Sequence, residues 1–367
     1  MTPQVKGWCP GALRPMESGD GLVVRVRAWG GRLTQNQARG LADLAARFGN
    51  GLIDLSARAN LQLRGVRDHQ AVLEGLTALG LVDGDAGAES RRNLLVTPFW
   101  QADDGTQALA EALTQALRED LPLPGKFGFA LDSGPTPVLH EASADIRIER
   151  APDGTLLLRP DGSTLGRPVT PGDAIPAAMD LSRWFLASGG AEQGRGRMKT
   201  HHAPLPEGFT HAAAAAQAAI PTPGATPLGH LAALAFGQMR AETLAALADL
   251  APLRLTPWRM MLLEGHAGPA ALPGVIATPD DPLLRVVACV GAPACPQALA
   301  PVRDLARQWA PFVPQGRLLH VSGCAKGCAR PAHADITLVA GEEDFARAAA
   351  QPFDPAFLMT GPDAPLL

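Results

Sequence analysis

The stretch GGRLTQNQARGLADLAARFGNGLIDLSARANLQLRG, residues 30–65, changes its periodicity once. Leu41, Leu44, Ala45 and Phe48 recur at helical spacing and predict a helix with one buried face. Thr34 and Gln37 stand ahead of that face as a capping box, and Gly49 predicts the stop. From Leu52 the period becomes two, and a strand running to Gly65 is expected. Residues 237–265, GQMRAETLAALADLAPLRLTPWRMMLLEG, repeat the helix-then-strand order, with LADLA at both 41–45 and 247–251.

A second repeat follows the first. KFGFALDSGPTPVLHEASADI (126–146) aligns without gaps on GRLLHVSGCAKGCARPAHADI (316–336), placing Gly134 and Val138 where Cys324 and Cys328 stand. RNLLV (92–96) matches RVVAC (285–289), which sets Val96 against Cys289. Short matches arise by chance in an Ala/Leu-rich chain, but two repeats in the same order are poorly explained that way. The chain reads as two copies of one two-part unit: a half-domain at 15–80, a cysteine-poor module at 88–205, a linker at 206–227 that includes HAAAAAQAAIPTPGATP, a second half-domain at 228–275 and a cysteine-bearing module at 280–367.

The 367 residues are 46% hydrophobic and 19% charged, the balance of a globular protein of two or three domains. A net charge of −4 without basic runs gives no electrostatic case for nucleic acid. No stretch approaches the roughly 20 apolar residues of a membrane span. The opening MTPQVKGWCPGAL lacks the order of a signal peptide, so a cytoplasmic location is expected.

Four of the five cysteines form two pairs, Cys289 and Cys295 (C-x5-C), then Cys324 and Cys328 (C-x3-C). Four thiolates at such spacing suit a 4Fe-4S cluster; structural zinc and uncoordinated core cysteines are the alternatives that spacing leaves open. Cys9 is not needed for the set and reads as a buried or half-buried thiol. In SARANLQLRG, Arg58, Asn60, Gln62 and Arg64 alternate with apolar residues, so on a strand they would share one face. Two guanidinium groups and two amides there suit a ligand with several carboxylates, although a solvated strand face carries the same residues. The glycine-rich loop GGAEQGRGRMKTHH (189–202) adds Arg195, Arg197 and Lys199, either as an anion clamp or as a plain crossing, while His201 and His202 read as exposed.

The cysteine spacing, with GCxxxCxRPxxADI at the second pair, resembles the cluster motif of the sulfite/nitrite reductase family. The fold this implies is α+β: a pseudo-twofold duplication of a ferredoxin-like half-domain plus a sulfite/nitrite-reductase-type α/β module. The resemblance assigns Cys289, Cys295, Cys324 and Cys328 to a 4Fe-4S cluster, with Cys328 as the bridge to a second iron. It sets Ser56, Arg58 and Gln62 against a tetrapyrrole, and matches Arg25 or Arg27, Arg92 and Lys126 to the cations of the substrate pocket. A second lysine of the family pattern is Gly128 here, which weakens the case for sulfite or nitrite. CPGALRPMESGDGLVVRVR, KFGFALDSG and TPWR (256–259) resemble an oxygen-dependent branch of the family that serves vitamin B12 synthesis. That branch implies a monooxygenase hydroxylating precorrin-3A at C20 and closing a γ-lactone, with O2, a mononuclear non-haem iron and electrons from NADH. No G-x-G-x-x-G follows a predicted strand, so a separate reductase is the expected electron donor. A siroheme-dependent sulfite or nitrite reductase is the alternative, and a zinc-stabilised binding protein a third.

Overall fold

The computed structural model describes residues 9–134, 136–331 and 333–349. The capping box forms as expected: the Thr34 side chain accepts from the Gln37 N–H, Gln37 answers at the Thr34 N–H, and the helix runs Gln35–Phe48. Gly49 ends it in extended rather than left-handed backbone. A Cβ at Gly49 would lie 2.6 Å from the Arg64 carbonyl oxygen, so close approach of the next strand is what demands glycine.

The strand expected from Leu52 to Gly65 is instead a hairpin, Leu52–Leu55 and Leu61–Val66. Residues 56–60 turn the chain. The Ser56 N–H donates to the Asn60 carbonyl, Ser56 Oγ accepts from the Asn60 N–H, and Ala59 takes a φ of 52°. Period-two alternation persists through a tight turn, so the sequence pattern did not reveal it. The second copy turns identically: the Thr256 N–H donates to Met260, Thr256 Oγ1 accepts from Met260, and Arg259 has a φ of 61°.

The two half-domains exchange edge strands. The first antiparallel sheet runs Met16–Ser18, Gly21–Val26, Leu61–Val66, Leu52–Leu55 and finally Gln238–Arg240 from the second copy. The second runs Gly224–Thr226, Gly229–Leu234, Met260–Glu264, Leu253–Leu255 and finally Arg32–Leu33 from the first. A kink ejects each donated strand from its own half: Gly30 (φ 57°, ψ 17°) in one and Phe236 (φ 57°, ψ 18°) in the other. The helix Gln35–Phe48 packs on Ala241–Leu250, and Leu41, Leu63, Leu247 and Leu263 share one core.

Each module is built on three parallel strands. They are Leu94–Val96, Phe129–Leu131 and Ile146–Arg150 in the first, and Val286–Ala288, Leu319–Ser322 and Ile336–Val339 in the second. The ADI register recurs as hydrogen bonds: the Asp145 carboxylate accepts from the Gly128 N–H at 2.9 Å, and that of Asp335 from the Leu318 N–H at 2.7 Å. The strand pairing corrects one alignment. Leu94 pairs with Phe129 as Val286 pairs with Leu319, so Val96 matches Ala288 and Thr97 stands opposite Cys289. Apolar matching had slipped by one residue.

The Ala/Pro-rich stretch expected as a linker is strapped to both halves. Ala212–Ala213 pairs with the strand Leu165–Val169, and Gly224–Thr226 with Gly229–Leu234.

Candidate functional site at the cysteine corner

Cys289 leaves the strand Val286–Ala288 with its N–H on the Val321 carbonyl, and its Sγ accepts from the Gly323 N–H at 3.1 Å. The loop carrying Cys295 is stitched to the other pair by the Leu299 N–H on the Gly323 carbonyl at 2.7 Å. It is also docked on the first half-domain, where the Ala294 carbonyl accepts from the Gly19 N–H and from Ser18 Oγ. The Cys328 thiol is pushed up by burial, eased by Lys326, and raised further by Cys324, Cys295 and Cys289, so the other three thiols lie within electrostatic reach of Cys328. Among the described residues, no three His, Cys, Asp or Glu side chains are gathered closely enough to hold a single metal ion. In a 4Fe-4S cluster each cysteine binds a different iron, so its thiols need not crowd in that way. The donor set of four sulfurs, one already accepting a backbone N–H, fits such a cluster.

Beside Cys289 and Cys328 lies a cavity of about 600 Å³, within the range of sites for organic ligands. The first half-domain contributes Ser56 and Gln62 to its wall, and the second Trp258 and Arg259. Arg303 and Arg330 come from the cysteine-bearing module. Arg303 donates to the Cys289 carbonyl at 3.2 Å and stands 3.7 Å from Asp54. Arg259 is pushed down to about 10 by burial and then by Arg303. His320 is buried with neither ring nitrogen hydrogen-bonded; burial, then Arg330 and Arg259, lower its pKa.

The expected cations divide into two groups. Arg27 pairs with Glu89 at 3.1 Å, Arg64 with Asp20 at 2.9 Å, Arg92 with Asp83 at 2.8 Å and Arg197 with Asp145 at 2.9 Å. These four meet carboxylates of the protein itself, so the fold already supplies a counter-charge to the buried Arg27, Arg64 and Arg92 and to the half-buried Arg197. Arg92 also lies 3.7 Å over the Trp29 ring. The others are differently placed. Arg25 donates to the Gln62 side-chain carbonyl at 2.7 and 3.1 Å, with the amide oxygen turned toward it, and touches Cys9. Arg58 sits in the turn, where Nη2 donates to the Lys126 carbonyl at 3.2 Å and Nη1 is buried without a partner. Asn60 is buried beside Arg58 and Gly128 around a small recess, so the four alternating residues do not form one strand face. Lys126, Arg195 and His202 are exposed, and His201 is held by Ser188 Oγ at 2.7 Å. A Cβ at Gly128 would meet the Asn93 carbonyl oxygen at 3.1 Å, so the backbone there is packed against a neighbour.

Sequence reasoning missed Arg259, Arg303 and Arg330. A usable signal existed for Arg259: it ends TPWR and occupies the turn position that Ala59 holds in the first copy.

A family model described as the nitrite/sulfite reductase ferredoxin-like half domain matches residues 14–79. Among curated proteins, a precorrin-3B synthase from Sinorhizobium sp is 30% identical over 380 residues, spanning 93% of this chain and 82% of that one. A ferredoxin–nitrite reductase from Synechococcus elongatus is 30% identical over 398 residues, spanning 89% and 77%. The solved structure of the Mycobacterium tuberculosis NirA protein superposes with a TM-score of 0.63 at 18% identity, over 86% of this chain and 70% of that one, a likeness of fold.

Proposed function

The chain belongs to the nitrite and sulfite reductase family, and within it we propose a precorrin-3B synthase: a monooxygenase that hydroxylates precorrin-3A at C20 and closes the γ-lactone. The observation that carries this reading is the cavity of about 600 Å³ beside Cys289 and Cys328, walled by arginine and tryptophan. Precorrin-3A is a macrocycle bearing many carboxylates, and such a wall matches both of its features. Against the siroheme reductase alternative stands the state of the cations that would polarise a small oxyanion. Arg27 and Arg92 are neutralised by Glu89 and Asp83, and the second lysine is Gly128.

Cys289, Cys295, Cys324 and Cys328 would hold the 4Fe-4S cluster, which supplies single electrons when bound. NADH would feed it through a separate reductase. The chain's own part is positioning. Guanidinium groups take carboxylates in bidentate pairs, which fix both place and angle. Trp258 and its apolar neighbours exclude water from one side of the macrocycle. Orienting one meso carbon in this way can contribute several kcal/mol to lowering the barrier.

The test is a turnover assay on the cluster-loaded protein with precorrin-3A, O2 and a reductant. Oxygen uptake matched by a product carrying one added oxygen atom is expected, with activity and broad cluster absorption both lost in Cys324→Ser. A strong Soret-type band in the purified protein, with reductant-dependent consumption of nitrite or sulfite, would transfer the assignment to the reductases.

A further inference from the structure

The tight turn at residues 256–260 places an arginine where its pseudo-symmetric mate has alanine, and that arginine has no counter-charge among the described residues. Arg259 lines the cavity beside Cys289 and Cys328. Among the described residues no carboxylate pairs with it, and the charged neighbour that lowers its pKa is another cation, Arg303. Arg303 itself is occupied, with the Cys289 carbonyl on one side and Asp54 on the other. Arg27, Arg64 and Arg92 are buried and each has a carboxylate, whereas Arg259 is half-buried at the cavity wall and has none among the described residues.

The backbone is also unusual. A φ of 61° is a conformation that side chains other than glycine's adopt only at a cost of about 1–2 kcal/mol. Gly237 makes room for the side chain: a Cβ there would lie 3.0 Å from the Arg259 Cγ. A strained backbone, a glycine-lined slot and an unmatched, half-buried charge facing a cavity are three costs met at one residue. Such costs persist where a ligand offsets them.

We infer that Arg259 is a carboxylate receptor, the residue by which the second half-domain grips one acidic side arm of the ligand in this cavity. The assignment rests on the tetrapyrrole reading above and adds a specific contact to it. Arg259 is a substrate-positioning residue: it holds the macrocycle's edge and carries no proton or electron.

Two readouts with opposite signs test it in the intact, cluster-loaded chain. Precorrin-3A is titrated without oxygen into the wild type, Arg259→Gln and Arg259→Lys, and the ligand-free proteins are melted. Arg259→Gln is expected to weaken binding about 10- to 100-fold, the loss of one charge-assisted contact, and to flatten its salt dependence. The same variant is expected to melt slightly higher, because an unmatched, half-buried charge beside the cation Arg303 has gone. Arg259→Lys should bind with intermediate affinity. Arg259→Gln binding within twofold of wild type, or melting lower with affinity unchanged, would show a structural residue and overturn the inference while leaving the tetrapyrrole reading intact. Failure of the wild type to bind precorrin-3A would remove both.

Discussion

His320 shows at the residue scale how little the identity of a side chain says about its state. It lies at the centre of a parallel strand, 1% exposed, with both ring nitrogens unbonded and two cavity arginines nearby. Burial first, and those cations second, hold its pKa below the ordinary value near 6.5. A histidine depressed in the folded state contributes its full stability above about pH 6.5. Below that, the unfolded chain takes up a proton that the folded one refuses, and stability falls. The wild type should therefore lose stability as the pH drops from about 7.5 to 5.5, at up to about 1.4 kcal/mol per pH unit from this residue. Melting curves of His320→Leu across that range should show a shallower decline. Equal slopes in the two proteins would mean that the imidazole titrates as it does in water.

At the scale of elements, one aspartate does two different jobs in the duplicated modules. In the second module the Asp335 carboxylate accepts from the Leu318 N–H and meets the exposed His333 at 3.4 Å. In the first, the fully buried Asp145 carboxylate accepts from the N–H groups of Gly128 and Met198 and from Arg197. Asp145→Ala strands a guanidinium and two amides, and should cost about 3–5 kcal/mol. Asp335→Ala should cost about 1.5–3 kcal/mol. Chemical denaturation of the two variants measures the difference, and an equal loss would refute the unequal roles. The alignment made this pair visible, since ADI occurs twice. The unequal load was not visible, because Arg197 arrives from a loop 52 residues away in sequence.

For the whole molecule, the reciprocal strands Arg32–Leu33 and Gln238–Arg240 make the two halves one folding unit. A chain of residues 1–227 lacks one edge strand and the helix Ala241–Leu250, which packs on Gln35–Phe48, and so removes Leu244 and Leu247 from the core they share with Leu41. Expressed alone it should melt without cooperativity, and co-expressed with 228–367 it should form a one-to-one complex. Cooperative unfolding of the isolated first half, followed by circular dichroism, would contradict this. A duplication read from sequence suggests two independent halves. The kinks at Gly30 and Phe236, each one residue long, are what interlock them.

The linear order of residues by itself determined the capped helix, the repeated unit, the four thiols and the family. All of these are local patterns or spacings that survive without knowledge of distance. Only the tertiary structure decided which guanidinium groups face a ligand. Charge pairing is a through-space affair: Arg27, Arg64 and Arg92 meet carboxylates brought in by other segments, while Arg259 faces the cavity with none among the described residues.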